Sequence, residues 1–175
     1  PKDNPFAEQE NTRRAIYSYG HRNPQGLARH PETGEIWSHE HGPKGGDEIN
    51  LIKSGANYGW PIITYGINYS GTPITDKTTQ EGMSQPQYYW VPSIAPCGMT
   101  FVTGDRYPNW KNQLLVGSLK FAYVELLRLE GNTIIGREKI AENIGRVRNV
   151  KTGPDGLVYI ALEGEGIVKL LPNSN

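Results

Sequence analysis

The stretch VRNVKTGPDGLVYIALEGEGIVKLL, residues 147–171, decides the fold. Two strand-like runs, 147–150 and 157–162, are joined by Gly-Pro-Asp-Gly. Asp-Gly supplies the positive φ that a tight hairpin requires. The same plan recurs upstream in NPQGLARHPETGEIWSHEHG, where PETG joins Gly26-Leu27-Ala28 to Glu35-Ile36-Trp37. A looser copy, CGMTFVTGDRYPNWKNQLLVGSLKFAYVELLRL, has a longer connection through Tyr107-Pro108-Asn109-Trp110. Hairpins repeated at intervals of some tens of residues predict an all-β antiparallel repeat architecture such as a β-propeller.

The rest of the chain agrees with that class. It has 175 residues with 21 Gly and 13 Pro, a turn-rich composition whose Tyr- and Trp-heavy aromatics suit short strands. Residues 6–15, FAEQENTRRA, allow one or two helical turns without an apolar stripe. Residues 64–90 form a long excursion with little strand pattern, and loops of that length are usually functional. No composition break marks a linker, so residues 1–175 are expected to be one unit or part of one. The polar first residues, without an initiator Met, suggest a fragment or processed product.

Eighteen basic residues balance 18 acidic ones, which argues against nucleic acid or a membrane surface as partner. No run is long or apolar enough to span a bilayer. The lone Cys97 excludes an internal disulfide and is most simply a small hydrophobe.

The loop EHGPKGGDEIN, residues 40–50, packs glycines, a proline and carboxylates between strand-like runs. Calcium takes carboxylate and carbonyl oxygens alike, and a Gly-Pro-x-Gly-Gly loop can turn its carbonyls inward, with Asp47 and Glu48 supplying charge. The plainer alternative is a hairpin connection with solvated acids. The order is neither that of an EF-hand nor that of a phosphate-binding loop. His39 and His41 stand two apart, with His21 and His30 upstream, but no accompanying metal-ligand motif supports zinc, and polar or site-lining histidines are the simpler reading. Arg22 and Asn23 stand where IYSYG breaks into a turn, Lys120 ends the run 114–119, and Arg146 and Arg148 share a strand face. Cations in such places face solvent or an anion, because a buried unpaired charge is too costly. A flat polyanion would account for several of them at once.

Six motifs in order, YGHRNPQGL, EHGPKGGDEINLI, GANYGWP, PSIAP, LLVGSLK and GRVRNV, closely resemble the soluble pyrroloquinoline-quinone (PQQ) dependent sugar dehydrogenases. The aldose branch is the nearer one, and the resemblance covers essentially the whole chain. It implies a six-bladed propeller about twice this length, of which this chain would be the C-terminal half, about three blades. It implies PQQ and calcium as cofactors and oxidation of aldose sugars to lactones, with electrons passed to a soluble acceptor. The expected location is periplasmic or secreted, and the ring would be completed by the N-terminal half or by self-association.

The resemblance also assigns residues. Arg22 matches the arginine at the quinone oxygen beside the reacting carbon, and Asn23 its cofactor-contacting neighbour. Lys120, Arg146 and Arg148 match cations around the PQQ carboxylates and quinone edge; Asp47, His41 and Ser93 stand at further cofactor positions. Gly42 and Pro43 match the carbonyls of the cofactor calcium, and Glu48, Tyr58 and Asn68 the ligands of a second, structural calcium. The family's general-base histidine lies in the other half, and none of His21, His30, His39 or His41 matches it. Tyr88, Tyr89 and Trp90 are expected either to stack on sugar rings or to pack under a loop. The rival expectation is a calcium-stabilised propeller module that binds proteins without catalysis.

Overall fold

A computed structural model describes residues 1–172. Its strands form three antiparallel sheets in chain order. The first holds β1 (Pro24–Arg29), β2 (Ile36–Glu40), β3 (Asp47–Ile52) and β4 (Tyr88–Trp90). The second holds β5 (Pro96–Phe101), β6 (Leu114–Ser118), β7 (Tyr123–Glu130) and β8 (Thr133–Glu142). The third holds β9 (Val147–Thr152), β10 (Val158–Leu162) and β11 (Gly166–Leu170). The one helical element among the described residues is a short 3₁₀ turn at Pro108–Trp110.

Each expected hairpin is present. PETG joins β1 to β2, with Leu27 opposite Ser38 and Ala28 opposite Trp37. GPDG joins β9 to β10, with Val150 opposite Ile160. The turn residues 163–165 then lead into β11, a strand that the sequence pattern does not announce. Residues 6–15 make turns but no helix. The long excursion ends in β4, so Tyr88–Trp90 form an outer strand rather than a loop. Three residues are too few to show a period of two.

Successive sheets pack face to face, with β1 and β2 against β5 and with β5 and β6 against β9. Because strand side chains alternate faces, the middle sheet contributes to two cores. Leu114 and Val116 of β6, with Tyr123 and Leu127 of β7, meet Trp37, Ile49 and Trp90 of the first sheet. Leu115, Val124 and Leu126 point the other way and meet Val147, Val150, Val158 and Ile160 of the third. A buried polar link crosses the first junction, where Trp90 Nε1 donates to Glu125 Oε2 at 2.9 Å.

Antiparallel connectivity places one set of connections together. The start of β1, the turns 41–46, 119–122 and 163–165, and the connections 91–95 and 143–146 all lie at the same end of the sheets. That end carries the candidate site.

Candidate functional site

The loop between β2 and β3 is shaped by its own backbone. A Cβ on Gly42 would collide with the backbone of Gly45 and Gly46, so only glycine allows the chain to fold back here. Asp47, fully buried, anchors the fold-back. Its Oδ1 accepts the Gly42 N–H at 2.9 Å, while Oδ2 accepts Ser93 Oγ at 2.6 Å and the N–H groups of Ile94 and Ala95 at 2.7 and 2.8 Å. Asp47 and Ser93 thus tie the loop to the connection between the first two sheets.

The Arg22 guanidinium caps this loop. Its NH1 donates to the carbonyls of His41 and Gly42 at 2.9 and 3.1 Å, and its Cζ lies 5.3 Å from the Trp60 ring centroid. The Asn23 carbonyl accepts the His41 N–H at 3.0 Å, and the Asn23 side chain accepts from Gln25 Nε2. His41 Nε2 reaches the Pro96 carbonyl at 2.8 Å, across to the second sheet. Next to Pro96, Cys97 Sγ contacts the Arg148 carbonyl at 3.1 Å, reaching the third.

Two cavities flank the loop. The larger, about 620 Å³, is lined by His41, Gly42, Pro43, Ser93 and Lys120 together with Tyr69. It gathers five of the expected cofactor and calcium positions from two sheets. Lys120 Nζ lies 4.9 Å from the Phe121 ring centroid at its edge. The smaller, about 10 Å³, is lined by Arg22, Glu40, Gly42, Glu48 and Tyr58, among others. That volume is on the scale of a single water or ion. Burial is the main cause that pushes the Glu48 carboxyl up to about 7; a hydrogen bond from Asn50 opposes it, and the charges of Glu40 and Asp47 add to it. The cavity brings the carboxyls of Glu40 and Glu48 together beside Arg22, Trp60 and Ile63, and a hard cation bound there would favour the ionised form of Glu48. Asn68 is not brought to it, since its amide donates to Thr72 and Pro73 in an exposed turn.

Arg146, just before β9, and Arg148, on β9, do face the same way. Arg146 Nε and Arg148 NH2 both reach Glu163 Oε2 at 2.8 Å. The anion that the sequence pattern calls for is, in this structure, a carboxylate of the next turn. The two arginines also hold Glu163 below the usual carboxylate range, the Arg146 hydrogen bond being the largest cause. The remaining histidines serve structure. His30 Nδ1 accepts the N–H groups of Glu32 and Thr33. His39 is fully buried, packed against Gly26 and the Gly98 backbone, and burial first, then the charge of His41, lowers its pKa to about 4. Tyr88 and Tyr89 belong to a separate groove of about 790 Å³ beside Phe121 and Tyr123.

Glu40, Glu163 and Trp60 have no role in the sequence reading. Glu40 stands in the quoted loop and its buried strand-end position is the available signal; Glu163 and Trp60 meet their arginines only through the fold.

Fold and site together define a β-propeller protein with a cation- and carbonyl-lined site at one end of its sheets. The pattern of the Glucose / Sorbosone dehydrogenase family matches residues 1–170, and the chain belongs to that family. It is 44% identical over 163 residues to Aldose sugar dehydrogenase YliI of Escherichia coli (strain K12), covering 91% of this chain and 44% of that protein. A crystal structure of glucose dehydrogenase superposes with a TM-score of 0.93 at 43% identity, over 99% of this chain and 51% of that one. The PQQ-bound form of aldose sugar dehydrogenase from Streptomyces coelicolor gives a TM-score of 0.64 at 26% identity, over 88% of this chain and 44% of that one. The chain therefore spans about half the length of the relatives it matches. Among the described residues, no helix is long and apolar enough to cross a membrane.

Proposed function

We propose that this chain supplies most of the cofactor cradle of a PQQ- and calcium-dependent dehydrogenase that oxidises aldoses at the anomeric carbon to lactones. The supporting observation is that Arg22 caps the loop 41–46 through the His41 and Gly42 carbonyls and Lys120 lines the cavity beside it, while Arg146 and Arg148 converge on Glu163 at the same end of the sheets. The carbonyls of Gly42 and Pro43 and the carboxylate of Glu48 are oxygen ligands of the kind calcium takes, and the arginines suit a planar polycarboxylate.

PQQ, when bound, supplies the two-electron acceptor for the sugar C–H bond. The residues of this chain do the rest of the work assigned to it. Arg22 stabilises negative charge at the acceptor oxygen by fixed, preorganised donors. Arg146 and Arg148 bind ligand carboxylates with the N–H groups that Glu163 leaves free, and Lys120 adds a third cation. Asn23 joins Arg22 at the acceptor edge, and Asp47 and Ser93 hold the loop against which the ligand sits. The carbonyls of Gly42 and Pro43 hold the cofactor calcium, and Glu48 with the Tyr58 carbonyl a second one. By the resemblance to the family, proton removal from the sugar falls to a base outside this chain; His21, His30 and His41 make internal contacts here, and His39 is buried. An aldose substrate, a soluble electron acceptor, a periplasmic or secreted location and completion of the ring by a second segment or a second copy belong to the same reading.

The test is a fluorescence titration of the chain with PQQ, in calcium and then in chelator. Saturable calcium-dependent binding is expected, and Arg146→Ala should weaken it roughly tenfold, the worth of one charge-assisted hydrogen bond. Binding indifferent to calcium and to that substitution would overturn the assignment.

A further inference from the structure

Glu40 is a carboxylate with 4% exposure at the end of β2. Burying such a charge is costly unless every oxygen lone pair finds a donor. Oε2 accepts the backbone N–H groups of Arg22 at 2.6 Å and Asn23 at 3.3 Å. Oε1 accepts Asn50 Nδ2 at 3.0 Å and pairs with His21 Nδ1 at 3.0 Å. With Nδ1 protonated, His21 donates to Glu40, and its Nε2 accepts from Ser18 Oγ at 2.8 Å.

The contacts are reciprocal. The Glu40 side chain holds the backbone of residues 22–23, and the Arg22 side chain holds the carbonyls of residues 41 and 42. The His41 N–H closes the ring onto the Asn23 carbonyl at 3.0 Å. Two segments far apart in sequence thereby fix each other, and the guanidinium stands where both fixations meet. Both oxygens must accept, because the backbone partners on Oε2 and the Asn50 amide nitrogen on Oε1 can only donate, so an amide here would set its own NH2 against one of them.

We propose that Glu40 is a positioning residue, acting through Arg22 to set where the site's cation and the Gly42 carbonyl stand. The idea rests on the reading above that Arg22 faces the cofactor. Removing the charge while keeping the shape, in Glu40→Gln, should weaken PQQ binding about tenfold, the lower range for partners that orient ligand-binding groups. A general packing defect would do the same, so the experiment is a double-mutant cycle with Arg22→Ala.

PQQ affinity in calcium is measured for the unsubstituted chain, Glu40→Gln, Arg22→Ala and the double variant. If Glu40 acts through Arg22, its substitution costs about tenfold when Arg22 is present and less than about twofold when it is absent. Equal losses in both backgrounds, or no loss in either, would overturn the proposal. Glu40→Asp, which keeps the charge but withdraws it by one methylene, carries the same cycle if Glu40→Gln does not fold. A second readout needs no cofactor: the rate at which an arginine-specific dicarbonyl modifies Arg22, followed by mass spectrometry. Faster modification in Glu40→Gln supports the role, and an unchanged rate counts against it. Should the unsubstituted chain fail to bind PQQ, the cofactor reading fails by itself and the modification rate alone decides the role of Glu40.

Discussion

Replacing Asp47 by Asn removes one negative charge from a site with no solvent access. Its carboxylate accepts four hydrogen bonds, from Gly42, Ser93, Ile94 and Ala95, at 2.6 to 2.9 Å. The least costly orientation of the new amide turns its NH2 toward the Gly42 N–H and sets donor against donor. That orphaned N–H costs about 1–3 kcal/mol, and the other three bonds each fall from charge-assisted to neutral strength, about 1 kcal/mol apiece. Relief from burying a charge returns part of the sum, leaving a net destabilisation of about 3 kcal/mol. In urea, with a slope of about 2 kcal/mol per molar, the midpoint should fall by roughly 1.5 M. Hydrogen exchange at Ile94 and Ala95 should accelerate before the sheet interiors do. A midpoint within about 0.3 M of the unsubstituted chain would refute the claim that this carboxylate ties the loop to the second sheet.

A half-buried carboxyl, Glu48, and a buried imidazole, His39, titrate with opposite signs. Glu48 rises from 4.5 to about 7, so its proton is held more tightly in the folded chain and its ionisation removes stability as pH climbs through that window. His39 falls from 6.5 to about 4, so stability is present above 6.5 and is lost as pH drops toward 4. Each is worth about 3 kcal/mol and they offset where the windows overlap. In the calcium-free chain, urea midpoints should therefore change little between about pH 4.5 and 6.5, whereas Glu48→Gln should lose about 3 kcal/mol on acidification from pH 6.5 to 4; a flat profile in that variant would contradict the His39 account. Trp90→Phe deletes the donor to Glu125 at the junction of the first two sheets and should cost about 1–2 kcal/mol, lowering the melting temperature by about 5 °C. An unchanged melting temperature would show that the cross-sheet bond contributes nothing.

Legibility in the sequence followed the range of the physics involved. GPDG and PETG were plain because a tight turn states its backbone requirement within four residues. The loop at residues 40–50 was plain for the same reason, since Gly42 admits no side chain. The strand β4 was not, being too short to display alternation, and neither was β11, whose residues are mostly exposed. The cations of GHRN and GRVRN were recognisable as a set, but Glu163 as their counter-charge was not, because it joins them only once β10 turns back. Glu40 and Asp47 look alike on paper as loop acids. Only burial and the donors around them separate a clamp on Arg22 from a clamp on the connection between sheets.

The alternation along β6 and β7 also has a mechanical meaning. Leu115 and Val116 are neighbours in the chain but belong to different cores, so each junction can be weakened without touching the other. Such a chain melts as a row of coupled units, its cooperativity set by the junctions rather than by one centre. Val116→Ala and Leu115→Ala would then be similar losses with dissimilar patterns, the first loosening the loop that carries Gly42, the second the turn that carries Glu163. Which part of the site fails first is written in the parity of a residue number.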